Sequence, residues 1–121
     1  MNRKVYVVDL DDTLCNTPWG VGINGKEGPQ YFDSTPKKDR IEKINALHDS
    51  GAIIIIETAR GTGSGKSWFY HTINQLRDWG LKFDHLRTGV KFIADAYIDD
   101  KGIKFENWDQ CINDLMEIDV L

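Results

Sequence analysis

Residues 4–13 read KVYVVDLDDT, an apolar, β-branched run that ends in three aspartates within four positions. Valine and tyrosine favour extended strands, and a continuous apolar run of this length is typical of a strand buried on both faces of a parallel sheet. The aspartates follow where that strand ends. Because ligands bind beyond the carboxyl ends of the strands in open α/β sheets, this stretch predicts both the first strand and the location of a site.

The rest of the chain alternates between helix and strand patterns. Three segments have apolar residues at helical spacing, and the first two of them end in glycine: PKKDRIEKINALHDSG (36–51), KSWFYHTINQLRDWG (66–80) and NWDQCINDLMEI (107–118). Three further segments are typical of strands: AIIIIET (52–58), LKFDHLRT (81–88) and ADAYIDD (94–100). Strands that alternate with helices predict right-handed crossovers. We therefore predict an α/β fold, a Rossmann-like three-layer sandwich with a mostly parallel sheet.

Composition limits the classes of protein that the chain can belong to. With 121 residues it has room for one core, so we expect a single domain over residues 1–121. A net charge of -4 argues against nucleic acid as a partner. No apolar run is long enough to cross a membrane, no secretion signal is visible, and the two cysteines are too few for a disulfide framework. These features predict a cytoplasmic protein.

The segment from residue 15 to residue 36 is rich in glycine and proline and too long for a simple turn. We expect it to form at most a short flap, because the chain has no room for a large additional domain. A short flap would leave the site after the first strand open. An open site suits either a large substrate or a neighbouring subunit that closes it, so the sequence is compatible with a homo-oligomer.

Seven charged or hydroxyl side chains follow the predicted strands and should converge at one edge of the sheet: Asp9, Asp11, Thr58, Arg60, Lys91, Asp99 and Asp100. Carboxylates a few ångströms apart repel each other, and burial strengthens that repulsion. A cation should therefore lie among them. A set of oxygen ligands without histidine or cysteine favours a hard ion, and Mg²⁺ fits best because it uses one or two carboxylates together with substrate phosphate oxygens.

Four motifs resemble those of the haloacid dehalogenase (HAD) superfamily of phosphotransferases: DLDDT (9–13), IIIIETAR (53–60), the lysine in GVKFIADAYIDD (89–100) and the closing DD. More narrowly, TARG, NQLRDWGLKFDHL and ADAYIDDKGI are similar to segments of small phosphatase-like proteins of bacterial capsule and surface-polysaccharide biosynthesis. Those proteins have GKP where this chain has GVKF. The resemblance implies a minimal HAD core without a large cap domain.

The resemblance also implies a mechanism. Asp9 would attack phosphorus and form an aspartyl-phosphate, and Asp11 would act as general acid and then as general base. Thr58 and Lys91 would stabilise the transferring phosphoryl group. Mg²⁺ would be held by Asp9, by Asp11 through its backbone carbonyl, and by Asp99, with Asp100 as a further candidate ligand. The implied activity is Mg²⁺-dependent hydrolysis of a small phosphomonoester, with a sugar phosphate favoured by analogy.

Other interpretations remain open at this point. GTGSGKS (61–67) after a strand resembles a P-loop of a nucleotide-binding protein or kinase, although Arg60 stands where the first glycine of that motif belongs. A receiver-like domain or a non-catalytic HAD-like protein would also place acids after the first strand. Arg60 could either bridge a carboxylate or reach a substrate phosphate.

Overall fold

The computed structural model describes residues 3–62, 65–92, 94–107, 109–111 and 114. The chain divides into two compact units, Met1–Lys91 and Phe92–Leu121, which are described separately. The first unit contains the sheet, both longer helices and the hairpin segment. That a single domain comprises residues 1–121 stays a prediction.

The first unit is built on a parallel sheet of three strands, Val5–Asp9 (β1), Ile53–Thr58 (β6) and His85–Thr88 (β7), in the order β1-β6-β7. Four further short strands lie between β1 and β6. In chain order the strands are β1 Val5–Asp9, β2 Cys15–Asn16, β3 Trp19–Val21, β4 Glu27–Pro29, β5 Thr35–Pro36, β6 Ile53–Thr58 and β7 His85–Thr88. The predicted α/β class with a parallel sheet is thereby confirmed.

Two α-helices connect the strands of this sheet. Helix α1, Lys38–Asp49, precedes β6, and helix α2, Phe69–Asp78, precedes β7. Gly51 and Gly80 follow these helices with φ values of 105° and 73°, a left-handed conformation that glycine adopts without a steric penalty. Both helices and their glycine ends agree with the sequence prediction.

The central strand β6 explains where the core lies. Its side chains alternate between fully and partly buried, and Ile54 and Ile56 are inaccessible to solvent. Burial of each such side chain contributes about 1.5–3 kcal/mol. The other buried apolar side chains of this unit are Leu10, Leu14, Cys15, Ile41, Ile44, Ala52, Leu76 and Leu81. This core fixes the carboxyl ends of β1 and β6, which lie side by side.

Residues 15–36 form a hairpin that is closed at its base. Strands β2 and β5 pair at that base, and β3 and β4 pair further out in antiparallel register. A short 3-10 helix, Tyr31–Asp33, lies between β4 and β5. Trp19 and Val21 on β3 are largely exposed. The two ends of the segment therefore lie side by side, an arrangement that is compatible with the expected short flap.

The second unit differs from the sequence prediction. No strand forms at residues 94–100, which are exposed and lack a ladder partner within the described part of the chain. Asp109, Gln110, Cys111 and Asp114 have helical backbone, and the remainder of the predicted helix at 107–118 lies outside the described residues. The predicted fourth strand is therefore wrong, and the Rossmann-like sandwich and the HAD core stay predictions. None of the described helices is long and apolar enough to span a membrane.

Candidate functional site

The candidate site lies at the carboxyl edge of the sheet. Strand β1 ends at Asp9 and strand β6 ends at Thr58, and the parallel register places Asp9 beside Glu57. Because both strands end at the same edge, the side chains that follow them meet there. Five of the seven residues expected at this edge belong to the first unit: Asp9, Asp11, Thr58, Arg60 and Lys91.

Within the part of the chain that the structure describes, the Asp9 carboxylate has one cationic and one hydroxyl partner. The Lys91 ammonium group donates to Oδ1 at 3.0 Å, and the Thr13 hydroxyl donates to Oδ2 at 3.0 Å. The Asp9 side chain is 37% exposed and that of Lys91 is 23% exposed. Asp9 is therefore oriented by two hydrogen bonds and remains accessible to a ligand.

The backbone at Lys91 is anchored to the glycine-rich loop after β6. The Thr62 hydroxyl donates to the Lys91 carbonyl at 2.8 Å. Gly89, two residues earlier, has a φ of 70° and passes close to the backbone of Arg60 and Gly61. The lysine thus reaches Asp9 although its sequence context, GVKF, departs from the GKP of the proteins that it resembles.

Asp11 has a different environment, dominated by Arg60. Nε of Arg60 lies 3.2 and 3.0 Å from Oδ1 and Oδ2 of Asp11, and Nη2 donates to Oδ1 at 2.8 Å. The Thr58 hydroxyl donates to Oδ2 at 3.3 Å, and the Thr17 hydroxyl donates to Oδ1. Arg60 and Asp11 thus form a bidentate ion pair, and two hydroxyl groups donate further hydrogen bonds to the same carboxylate.

Arg60 is fully buried, and all of its N–H groups have acceptors. Nη1 donates to the Thr72 hydroxyl at 3.2 Å and to Gln75 Oε1 at 2.7 Å, while Nη2 also donates to Ser34 at 3.3 Å. The guanidinium lies 4.7 Å from the ring centre of Tyr31. Of the two roles that the sequence left open for Arg60, the structure shows the bridging of a carboxylate.

The charge state of Asp11 follows from two opposing effects. Burial by itself would raise the pKa of the carboxyl group, but the hydrogen bonds and charge of Arg60, with the hydroxyl groups of Thr17 and Thr58, lower that pKa below its usual value. Asp11 is therefore ionised at neutral pH. Burial raises the pKa of the neighbouring Cys15 thiol, which stays protonated.

A tight turn after β1 places the two aspartates. The Leu10 carbonyl accepts from the backbone N–H groups of Thr13 and Leu14 at 3.1 and 2.8 Å. Asp12 has a φ of 64°, a left-handed conformation that aspartate tolerates better than most residues. Its carboxylate accepts from the Thr17 backbone N–H at 3.3 Å. Asp12 thus shapes the turn.

The contacts of Thr58 differ from those that the role implied by the resemblance would require. Its side chain is buried, and its hydroxyl both donates to Asp11 and accepts from the Arg60 backbone N–H at 3.2 Å. In this arrangement Thr58 orients Asp11. Donation to a phosphoryl group would require that the bond to Asp11 be given up.

The predicted metal ligands fall into two groups. Asp9 and the main chain of Asp11 belong to the first unit, whereas Asp99 and Asp100 belong to the second and are exposed. Asp99 accepts from the Lys101 backbone N–H at 2.9 Å, and this bond lowers the pKa of its carboxyl group. No group of three or more side chains of the metal-binding types is assembled within the described residues. That Asp99 and Asp100 join Asp9 stays a prediction.

The glycine-rich loop does not open a helix in the manner of a P-loop. Helix α2 begins at Phe69, and Lys66 and Ser67 are exposed ahead of it. Gly61 has a φ of 88°, and a Cβ there would lie 2.4 Å from the Lys66 carbonyl oxygen. Close approach of two backbone segments therefore accounts for the glycine at position 61.

Several polar residues of the site have no motif in the sequence: Thr17, Ser34, Thr72 and Gln75. No sequence pattern identifies them, because they contact Asp11 or Arg60 only once the hairpin and α2 have packed against the carboxyl edge of the sheet. One physical signal was present, since a buried arginine needs several acceptors. Thr72 and Gln75 lie three positions apart on α2, a spacing that puts both on one helix face.

Comparison with known proteins supports the fold. No protein-family model and no curated protein matches the chain. A crystal structure of a structural-genomics target from Vibrio cholerae is similar to it, with a TM-score of 0.65, 24% sequence identity, and coverage of 95% of this chain and 98% of that chain. At this identity the similarity concerns the fold alone. The activity has to be argued from the site.

Proposed function

We propose that the protein is a phosphatase that hydrolyses a small phosphomonoester through an aspartyl-phosphate intermediate. The observation that carries this proposal is the contrast between two aspartates two positions apart. Asp9 is accessible and paired with a lysine, whereas Asp11 is held by a buried arginine. Pairs of carboxyl groups in unlike environments are typical of sites where one acts as nucleophile and the other transfers protons.

In the first step a carboxylate oxygen of Asp9 attacks phosphorus, and the bond between phosphorus and the leaving oxygen breaks. The leaving oxygen takes a proton from Asp11; because the resting carboxylate is ionised, Asp11 must first take up this proton from solvent. In the second step the Asp11 carboxylate removes a proton from water, whose oxygen attacks phosphorus. The bond between phosphorus and Asp9 breaks and inorganic phosphate leaves. Asp11 then releases its proton to solvent, so both side chains return to their resting states.

Three other residues support these steps. Lys91 donates to Asp9 and offsets the negative charge that passes between this carboxylate and the phosphoryl oxygens. Thr58 and Arg60 fix the direction of the Asp11 carboxylate. An enzyme that presents these groups before substrate binds needs little reorganisation at the moment of reaction.

The donor set of the first unit fits Mg²⁺ in part. Asp9 is accessible to a ligand, and its oxygens each accept only one hydrogen bond from the described residues. The Asp11 carboxylate is occupied by Arg60, so this residue would contribute its backbone carbonyl. Asp9, this carbonyl and Asp99, with Asp100, would hold the ion with oxygen ligands alone. When bound, Mg²⁺ would polarise a phosphoryl oxygen.

A sugar phosphate is the substrate class that we propose, by analogy with the proteins that the sequence resembles. The hairpin over residues 15–36 would act as a short flap beside an otherwise open site, which a large substrate or a second copy of the chain could close. The buried thiols of Cys15 and Cys111 are unpaired, which agrees with a cytoplasmic setting.

Release of phosphate from p-nitrophenyl phosphate with Mg²⁺ tests the proposal. We expect turnover by the wild-type protein, its loss with excess EDTA, and less than about 1% of wild-type turnover for Asp9→Asn, because an amide is a poor nucleophile. Asp78→Asn is the matched control, since Asp78 is exposed at the end of α2. Undiminished turnover in EDTA, or by Asp9→Asn, would contradict the proposal. A panel of sugar phosphates and nucleotides then identifies the substrate class.

A further inference from the structure

We infer that Arg60 is a positioning residue, which fixes the Asp11 carboxylate for proton transfer and ties it to both ends of the hairpin segment 15–36. The part of this inference that concerns proton transfer rests on the proposed function. The tie between Arg60 and the hairpin does not, because it is a property of the fold.

The geometry between Arg60 and Asp11 leaves the carboxylate little freedom. A planar guanidinium that binds a carboxylate through Nε and Nη2 fixes both its distance and its plane. Arg60 is itself held from behind, because Nη1 donates to Thr72 and Gln75 on α2. The position of Asp11 is therefore set by α2 as well as by the turn after β1.

The same group of residues holds the hairpin. Thr17, at the start of the segment, donates to Asp11, and its hydroxyl lies 2.7 Å from that of Ser34 near the end. Ser34 also accepts from Arg60. Gln75 accepts from Arg60 and donates to the Tyr31 carbonyl at 2.7 Å. Both ends of the hairpin thus depend on Arg60 and Asp11.

Stability alone does not explain this arrangement. A buried ion pair is weak evidence for stability, because desolvation of the two charges offsets much of their attraction. An apolar pair of similar volume would fill the same space. Unlike an apolar residue, Arg60 fixes the orientation of a carboxylate located two positions from the accessible Asp9. It also connects that carboxylate to the hairpin segment that borders the site.

Arg60→Lys tests positioning, because lysine keeps the charge but loses the planar fork. We expect kcat to fall about 10²-fold on an alkyl phosphate, whose leaving group needs a proton, with little change in KM. The fall should be much smaller on an aryl phosphate with a weakly basic leaving group. Arg77→Lys, on the exposed face of α2, is the matched control. In an Asp11→Asn background Arg60→Lys should cause no further loss.

An equal loss on both substrates, or a full further loss beside Asp11→Asn, would overturn the positioning role and leave a structural one. Absence of phosphate release by the wild-type protein would refute the proposed function and positioning for proton transfer together. The tie to the hairpin is measured separately and without any reaction.

Amide hydrogen exchange of the intact protein measures that tie. Gln75→Leu removes one acceptor of Arg60 and the donor to Tyr31 without a change of charge, and it serves where Arg60→Lys fails to fold. We expect exchange at residues 31–36 to become at least several-fold faster while exchange in β6 stays unchanged. Unchanged exchange at 31–36 in a folded Gln75→Leu protein would overturn the tie.

Discussion

Replacement of Lys91 by alanine separates its proposed role in catalysis from its role in stability. The ammonium group donates to Asp9 at 3.0 Å, and removal of a donor that stabilises transition-state charge typically costs about 10²–10³ in rate. That range corresponds to about 2.7–4 kcal/mol of transition-state stabilisation. We therefore expect Lys91→Ala to lower kcat for an aryl phosphate by this factor.

The same change should affect folding far less. The two side chains are 23% and 37% exposed, and partly exposed ion pairs contribute only about 0–1 kcal/mol to the free energy of unfolding. Lys82→Ala is a matched control, because Lys82 forms a similar pair with Asp49 at 2.8 Å at the opposite end of the strands. The control should retain wild-type turnover.

Steady-state kinetics and urea denaturation of both variants complete the experiment. If Lys91→Ala retained wild-type kcat, a cation other than Lys91 would have to act on the phosphoryl oxygens. If it lost several kcal/mol of unfolding free energy, the lower turnover would reflect unfolding rather than catalysis.

Two further predictions concern Thr58 and Asp84. Thr58→Val should lower kcat and also reduce the free energy of unfolding by about 1–3 kcal/mol, because it leaves the Arg60 backbone N–H without its acceptor; enzyme kinetics and urea denaturation check both effects, and unchanged stability would contradict the reasoning. The Ile54 backbone N–H donates to Asp84 at 2.8 Å and lowers the pKa of this carboxyl group from 3.8. Its contribution to stability is therefore present above pH 4 and lost as the pH falls through the lower folded value. Asp84→Ala should destabilise the protein at pH 7 and much less near pH 2, as measured by urea midpoints; an equal difference at both pH values would refute the assignment.

The sequence predicts the parts of the fold whose pattern is strong and local. β1, β6, α1 and α2 form where apolar periodicity and terminal glycines place them. The third strand is shorter than predicted, beginning at His85 instead of residue 81. The Asp84 backbone N–H donates to the Ile54 carbonyl, but the Ile54 N–H donates to the Asp84 carboxylate instead of a backbone carbonyl. Regular ladder pairing therefore begins at His85, the residue after Asp84. At residues 94–100 an apolar pattern alone did not produce a strand, since a strand also needs a partner.

The sequence predicts residues of the candidate site only where charged side chains lie at or soon after the end of a predicted strand. Asp9, Asp11 and Lys91 were found in this way. The sequence left two roles open for Arg60, because its further partners lie 26, 12 and 15 positions away, on the hairpin and on α2. No linear spacing encodes contacts between segments that meet only in the folded chain.

The structure also gives a reason why Asp9 and Asp11 should not exchange roles. For Asp11 to attack phosphorus, its carboxylate would have to leave a fully buried arginine, and an uncompensated buried charge costs about 3–5 kcal/mol. Asp9 would give up its bond to a lysine on a flexible side chain, and that lysine could follow the charge onto the phosphoryl oxygens. In the proposed mechanism the nucleophile is therefore the carboxylate whose partner can move with the reaction. The proton-transfer group is the one whose partner is fixed.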